Sequence, residues 1–264
     1  MAFSTGYTFG FAAAICVTAS LAVATAAQGL RELQDTNKRR DLQGSILMAL
    51  DVHADDGAPL KGAAIDEAYS TQVEVVLVDG NGNIASDATL DEALAFTGSD
   101  LAKKLGKTGD LSDEEWATFR EEAVLAVYER VDGSGNVQAY ALPVQGVGLW
   151  GPISGFIALE PDASTVLGAT FAAPAETPGL GYEIVNTPFR SQFPGKQIFT
   201  DGGELSPVSV VKGEVDLACA GRTEFCVQGV SGATMTSNGV DLMLEGILSA
   251  YEPYLEQIRA GGGS

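Results

Sequence analysis

The sequence predicts an α+β fold in which a single N-terminal transmembrane helix precedes one soluble domain. Three observations carry this. Residues 1–30 hold no charged side chain. Residues 146–172 form the clearest β region, with two runs flanking a hairpin connection at 160–164, and residues 238–258 repeat apolar side chains at helical spacing. At 264 residues the chain is long enough for one good core rather than several. The chain divides into an anchor (1–30), a juxtamembrane helix and linker (31–70) and an α+β domain (71–260).

Each element has its own signal. From residue 7 to 27 the chain is apolar or small, with Phe9, Phe11, Ile15, Val17, Leu21 and Val23. About 20 such residues span a bilayer. The small residues 22–27 also suit a signal peptidase, but the basic leading segment of a signal peptide is missing. Next come Arg31, Glu32, Asp35, Lys38, Arg39, Arg40 and Asp41. By the positive-inside rule this basic cluster places the following domain in the cytoplasm. Leu33, Leu42, Ile46 and Leu50 continue the helix outward.

Residues 72–78 read as a strand ended by the turn Asp79-Gly80-Asn81-Gly82-Asn83. Residues 90–107 give polar and helical fragments without a clear boundary. Ser112 and Glu115 form a capping box for a helix that the apolar series Trp116, Phe119, Val124 and Val127 carries to about residue 130. Strands are expected at 137–143, 153–159 and 165–172, with the hairpin connection at 160–164, and short ones at 208–211 and 215–217. The last helix, 238–258, contains Pro253, a potential kink. The glycine-rich end, 261–264, reads as flexible.

Composition narrows the chemistry. Thirty-five acids against fifteen bases give a net charge of -20, which argues against nucleic acid as a partner. The acidity fits either a high-salt habitat or lineage composition. His53, the only histidine, stands in the polar stretch 51–56 and reads as a solvated linker residue. One histidine and three unpaired-looking cysteines (Cys16, Cys219 and Cys226) exclude a multi-histidine site and make a zinc or iron–sulfur site improbable. The chemistry is therefore expected from a cofactor.

The richest stretch is Ser231-Gly232-Ala233-Thr234-Met235-Thr236-Ser237-Asn238, a small, hydroxyl-bearing turn feeding the last helix. Free N–H groups and the positive dipole end there suit a phosphate, as the hydroxyls of Ser231, Thr234, Thr236 and Ser237 do. On physics alone, an ordinary helix cap by Ser237 or Asn238 explains it as well.

This stretch resembles the flavinylation motif of the FMN-binding domain family, in which the threonine of Ser-Gly-Ala-Thr carries FMN as a phosphoester. That threonine is Thr234. The family usually has an aspartate three residues before the serine, where this chain has Gln228, within the region a dedicated flavin transferase recognises. Glu176-Thr177-Pro178-Gly179-Leu180-Gly181 and Gly146-Val147-Gly148-Leu149-Trp150-Gly151 are similar to two more family segments. The Pro-Gly turn lets amides approach a planar ring, with Glu176 and Thr177 as polar contacts. Leu149 and Trp150 would flank the ring, and Lys212 is a candidate for steadying reduced, anionic flavin.

The order of segments, with Gly155-Phe156-Ile157-Ala158-Leu159-Glu160-Pro161-Asp162, resembles the C subunits of sodium-translocating NADH:quinone oxidoreductases. The resemblance implies an electron carrier in the bacterial inner membrane, within a complex that oxidises NADH, reduces ubiquinone and moves sodium. Its partners would be iron–sulfur-bearing subunits and a second FMN-bearing subunit. It also places the flavin domain on the periplasmic side, against the basic cluster. There Cys219 and Cys226 could pair, or stay free thiols. The alternatives are the covalent-FMN subunit of an Rnf-type ferredoxin:NAD complex and a non-redox membrane-anchored assembly module. A freestanding flavin reductase ranks last for want of a nicotinamide fingerprint.

Overall fold

The computed structural model describes residues 4–54, 56–90 and 100–261. It divides into two compact units, Met1–Leu42 and Gln43–Ser264. The first consists of most of helix α1, Thr5–Ala49, which is long and apolar enough to cross a membrane and whose apolar window is fully exposed. At about 1.5 Å per residue, roughly 20 residues already cover the hydrocarbon core.

In the second unit, α2 (Ala63–Gln72) leads into β1 (Val73–Asp79), which turns through Asp79–Asn83 into β2 (Ile84–Asp87). Asp79 Oδ1 accepts the N–H groups of Asn81 and Asn83, which fixes the turn. Residues 91–99, part of the unassigned sequence stretch, lie outside the described residues. Helices α3 (Asp100–Thr108) and α4 (Asp113–Glu122) precede β3 (Val124–Val131), β4 (Val137–Val147), β5 (Pro152–Leu159) and β6 (Val166–Ala172). These strands form an antiparallel six-stranded sheet in the order β2-β1-β3-β4-β5-β6.

Two sequence expectations are corrected here. The capping box at Ser112 forms, with both reciprocal hydrogen bonds, but α4 stops at Glu122. Ala123 turns extended and Val124–Val131 becomes a sheet strand, paired with β1 from Val73 to Asp79. The i,i+3 spacing of Val124 and Val127 had prolonged the helical pattern into a run whose β-branched and aromatic residues pack better on a pleated surface. Residues 215–217 are not a strand, because Val215–Ala218 winds into a single short helical turn.

Both faces of the sheet are covered, so its central strands are apolar on both sides. Tyr128, Phe156 and Thr170 share one face: the two rings pack edge to face, and Thr170 pairs with Phe156 across β5–β6. The end of α1 lies on that face. Thr170 Oγ1 donates to the Ser45 carbonyl at 3.2 Å, and Ile46, Leu47 and Leu50 are buried. The other face carries Val127, Leu142, Val144, Ile157 and Leu159 in the main core.

After β6 come a 3-10 turn (Gly181–Val185), α5 (Thr187–Arg190), β7 (Ser209–Val211), α6 (Val215–Ala218), a second 3-10 turn (Thr223–Phe225) and β8 (Cys226–Gln228). Strands β7 and β8 pair in parallel. The last helix, α7 (Thr234–Gly261), continues through Pro253 and starts four residues before the expected Asn238. It lays Val240, Met243, Leu244, Ile247, Leu248, Tyr251 and Leu255 on the core face of the sheet. Residues 262–264 lie outside the described residues.

Two tyrosines of α7 are paired at this contact. Tyr251 donates to the Ala126 carbonyl, and Tyr254 donates to Glu129 Oε1, both at 2.8 Å. Burial, with Glu74 and Asp87 nearby, pushes the Glu129 carboxyl above its ordinary 4.5 despite the Tyr254 hydrogen bond. A raised folded-state pKa favours the protonated acid, so this contribution to stability is complete below the unfolded value and is lost as pH rises. Glu129→Gln is therefore expected to be more stable than the parent at pH 7 and to lose that advantage near pH 4, in urea titrations at both values. Where α3 meets β4, a Cβ on Gly106 would collide with the Gln145 carbonyl. Gly106→Ala should cost about 1–3 kcal/mol in the same assay.

Candidate functional site

The motif segments converge at the start of α7. The helical ladder opens with the Ser237 N–H donating to the Ala233 carbonyl at 2.9 Å, so the amides of Thr234, Met235 and Thr236 precede it. Gly232, at φ 79°, supplies the left-handed residue that turns the chain into the helix. Ser231 and Thr234 are exposed, whereas Thr236 and Ser237 are buried. The Thr236 hydroxyl donates to Glu176 Oε2 at 2.6 Å, and Ser237 Oγ accepts the Val230 N–H at 3.0 Å. Neither Ser237 nor Asn238 is the helix cap; both stand within the helix.

A cleft of about 230 Å³ adjoins this turn. It is lined by Lys212 and Gly213 after β7, by Gln228 to Gly232, and by Thr234, Ser237 and Asn238. Lys212 and Thr234 thus face one space although 22 positions separate them, their numbers being 212 and 234. Their placement follows from the β7–β8 pair. Asp241 on α7 accepts the Val210 N–H at 2.7 Å, and Gly229 donates to the Val211 carbonyl at 2.8 Å. Burial raises the Asp241 carboxyl, while its hydrogen bond from Val210 opposes that rise.

Gln192, which the sequence did not single out, and the cysteine pair also hold the walls. Gln192 grips the main chain of Gln228 at two points: its Oε1 accepts the N–H at 2.8 Å, and its Nε2 donates to the carbonyl at 3.2 Å. The side chain of Gln228 remains exposed and lines the cleft. Cys219, next after α6, and Cys226, at the start of β8, form a disulfide. Nothing local marks Gln192, which is 36 residues from its partner. Asp241 could have been suspected as a polar residue among the apolar positions of α7.

The other two motif segments lie against the same helix start. In the turn at residues 177–180, Leu180 donates to the Thr177 carbonyl and Gly179 has φ 78°, the type II geometry that Pro178-Gly179 favours. Thr177 also accepts the Tyr182 N–H on its carbonyl. A Cβ on Gly232 would come within 3.1 Å of Leu180. Leu149 and Trp150 occupy the tip of the β4–β5 hairpin, where Gly148 donates to the Gly151 carbonyl. Residues 146–151 do carry the spacing G-x-G-x-x-G, but on a β-hairpin rather than a strand-to-helix turn, so the segment is no dinucleotide fingerprint.

Glu176 joins these segments. It is 5% exposed; Oε1 accepts the Trp150 N–H at 2.8 Å, and Oε2 accepts the Thr236 hydroxyl. The carboxylate occupies the space that a Cβ on Gly148 or Gly181 would need. Around it, Leu149, Trp150, Leu180, Tyr182 and Met235 expose apolar surface, Trp150 at 68% and Met235 at 60%.

These features fit a flavin mononucleotide. An exposed threonine hydroxyl stands at a helix N-terminus, where orphan amides and the dipole favour a phosphate. Lys212 supplies positive charge on the same cleft, and exposed apolar side chains border the turn. Among the described residues no cluster of side chains suits a metal ion.

The chain is similar to known FMN-binding proteins. A family model for the FMN-binding domain matches residues 148–249, which contain all three motif segments apart from Gly146 and Val147. The C subunit of the Na(+)-translocating NADH-quinone reductase of Vibrio vulnificus is 34% identical over 260 residues, 97% of this chain and 96% of that protein. The C subunit from Pseudomonas aeruginosa is 34% identical over 263 residues, covering 98% and 97%. The crystal structure of the Parabacteroides distasonis C subunit matches at TM-score 0.64 and 32% identity, covering 86% of this chain and 96% of that one. Shewanella oneidensis NqrC matches at TM-score 0.63 and 28% identity, covering 85% and 99%. With its fold and nearly its whole length shared, the chain belongs to the family of C subunits of the Na(+)-translocating NADH-quinone reductases.

Proposed function

We propose that this chain carries FMN as a phosphoester on Thr234 and relays electrons inside a Na(+)-translocating NADH-quinone reductase. The observation that carries this reading is the exposed Thr234 hydroxyl on the first residue of α7, in one cleft with Lys212. Bound there, FMN supplies the electron-carrying chemistry, and the protein's residues fix it in place. The amides of Thr234 to Thr236 and the helix dipole hold the phosphate. Lys212 offsets negative charge that accumulates on reduction. Trp150, Leu149 and Leu180 cover apolar ring surface. The chain's one histidine lies far along the sequence from these segments, so a relay is a better match than acid–base turnover.

The proposed partners are the iron–sulfur-bearing subunit that delivers electrons, the second FMN-bearing subunit that takes them, and the flavin transferase during maturation. A covalent link suits a carrier exposed to a large aqueous volume, because free FMN would diffuse away. The flavin domain is proposed to face the periplasm, with α1 as a single membrane anchor. The Cys219–Cys226 disulfide supports that side, since such bonds persist in oxidising compartments and are rare in the cytosol.

Peptide mapping of the full chain from cells that contain the transferase is expected to find one FMN phosphoryl group on Thr234. Thr234→Val should abolish it while changing stability by no more than about 0.5 kcal/mol, as for other exposed positions. Covalent flavin retained in that variant would refute the site. Under denaturing, non-reducing conditions, thiol titration should count Cys16 alone, with Cys219 and Cys226 appearing after reduction. Three reactive thiols before reduction would remove the support for the periplasmic side.

A further inference from the structure

We propose that Glu176 is a positioning residue for the flavin site, acting through the main chain of Trp150 and the hydroxyl of Thr236 rather than by touching the flavin. The proposal rests on the reading of Thr234 as the FMN-bearing residue. A polar residue in a loop beside a cofactor would ordinarily be taken as a direct contact, and burial argues otherwise. Glu176 is 5% exposed and Thr236 only 1%, so their hydrogen bond of 2.6 Å is closed to solvent. The second carboxylate oxygen is directed at the Trp150 N–H, 2.8 Å away. Among the described residues, no lysine or arginine forms an ion pair with it.

Each oxygen therefore serves a different segment. Chain separations of 26 residues to Trp150 and 60 to Thr236 show that the carboxylate cross-links three distant parts of the sequence. Gly148 and Gly181 leave the room for it: a Cβ on Gly148 would lie 2.6 Å from Oε1, and one on Gly181 would collide with Oε2. At Gly148 and Gly181 any side chain would press on the carboxylate, independently of any ligand.

The geometry of a helix converts this anchor into an orientation. Successive residues turn by about 100°, so residues two apart point in nearly opposite directions. With the Thr236 hydroxyl held inward by Glu176, Thr234 is turned outward, where it is exposed. The same carboxylate fixes the backbone at Trp150, a residue that is 68% exposed. One buried group thereby sets where the attachment point and the exposed tryptophan stand relative to each other.

The test compares the full chain with Glu176→Ala, Glu176→Gln and Thr236→Val, produced in cells that contain the transferase. The readouts are hydrogen exchange at the Trp150 amide, the fraction of chain carrying FMN by intact mass, and the visible circular dichroism of the bound flavin. Glu176→Ala should speed exchange at Trp150 at least tenfold, lower FMN occupancy several-fold and alter the flavin dichroism. Glu176→Gln should restore all three, because its amide oxygen can accept from Trp150 and its NH₂ can donate to Thr236. Thr236→Val should alter occupancy and dichroism while Trp150 stays protected. It carries the test if Glu176→Ala fails to fold.

Wild-type exchange, occupancy and dichroism in Glu176→Ala would overturn the proposal, as would wild-type flavin readouts in Thr236→Val. A defect in Glu176→Gln as large as that in Glu176→Ala would also overturn it, pointing to the charge itself. If the unsubstituted chain carries no FMN on Thr234, the functional reading fails separately. The Trp150 exchange rate then still decides whether Glu176 holds that loop.

Discussion

Helix α7 lies so close to its supports that only glycines fit between them. A Cβ on Gly239 would strike the Val147 carbonyl, and one on Gly246 would come within 2.5 Å of the Leu105 carbonyl in α3. From the other side, Gly146 of β4 faces Met243, and Gly82 in the β1–β2 turn faces the main chain of Pro253 and Tyr254. The contact runs almost the whole length of the helix, so neither its depth nor its axial position is free to drift. Interiors packed to this density transmit displacement rather than absorb it. Gly239 lies within two turns of Thr234, and its neighbour Val147 borders the Leu149–Trp150 tip. The packing that completes the core therefore also places the helix N-terminus beside that loop.

This explains which parts of the molecule could be read from the sequence. Local signals were sufficient where the structure is local. The capping box at Ser112, the hairpin of β5 and β6, the Pro178-Gly179 turn and the apolar face of α7 all form as their residues suggest. The small-residue turn at Ser231 to Thr234 was legible too, as was the α+β class. Errors arose where tertiary pairing overrode a local pattern. Val124 and Val127 satisfied helical spacing, yet β1 supplied a partner and the segment became an interior strand. Ser237 looked like a cap, but Gly232 had already turned the chain, and the hydroxyl was left to bind the Val230 amide instead. The inward direction of Thr236 and the dual role of Glu176 depend on contacts 60 and 26 residues distant, which spacing alone does not encode.

Electrostatics at the site must be local as well. A chain with net charge -20 repels anions at long range, and salt screens that field within about 10 Å. A phosphate held beside Thr234 therefore depends on groups in contact with it: the first amides of α7, the end of the helix dipole and Lys212 on the cleft. Further along the helix, burial raises the Glu245 carboxyl, with Asp241 and Asp110 adding to the effect.

The position of the domain relative to the membrane turns on two signals that report different things. The basic residues Lys38, Arg39 and Arg40 bias insertion of the helix they follow, but that bias concerns short flanking segments, and long domains translocate largely regardless of it. The cysteine pair reports on the compartment in which the finished domain resides. A cross-link between α6 and β8 braces the wall that carries Lys212 and Gln228, and the reducing cytosol would keep working to open it. The wall is thin: β7 and β8 are three residues each, and among the described residues no third strand joins their parallel pair. In an oxidising space the bond offsets the weakness of so short a ladder beside the proposed cofactor cleft. Under the periplasmic placement proposed above, the disulfide has a structural reason to exist on the side where it can persist.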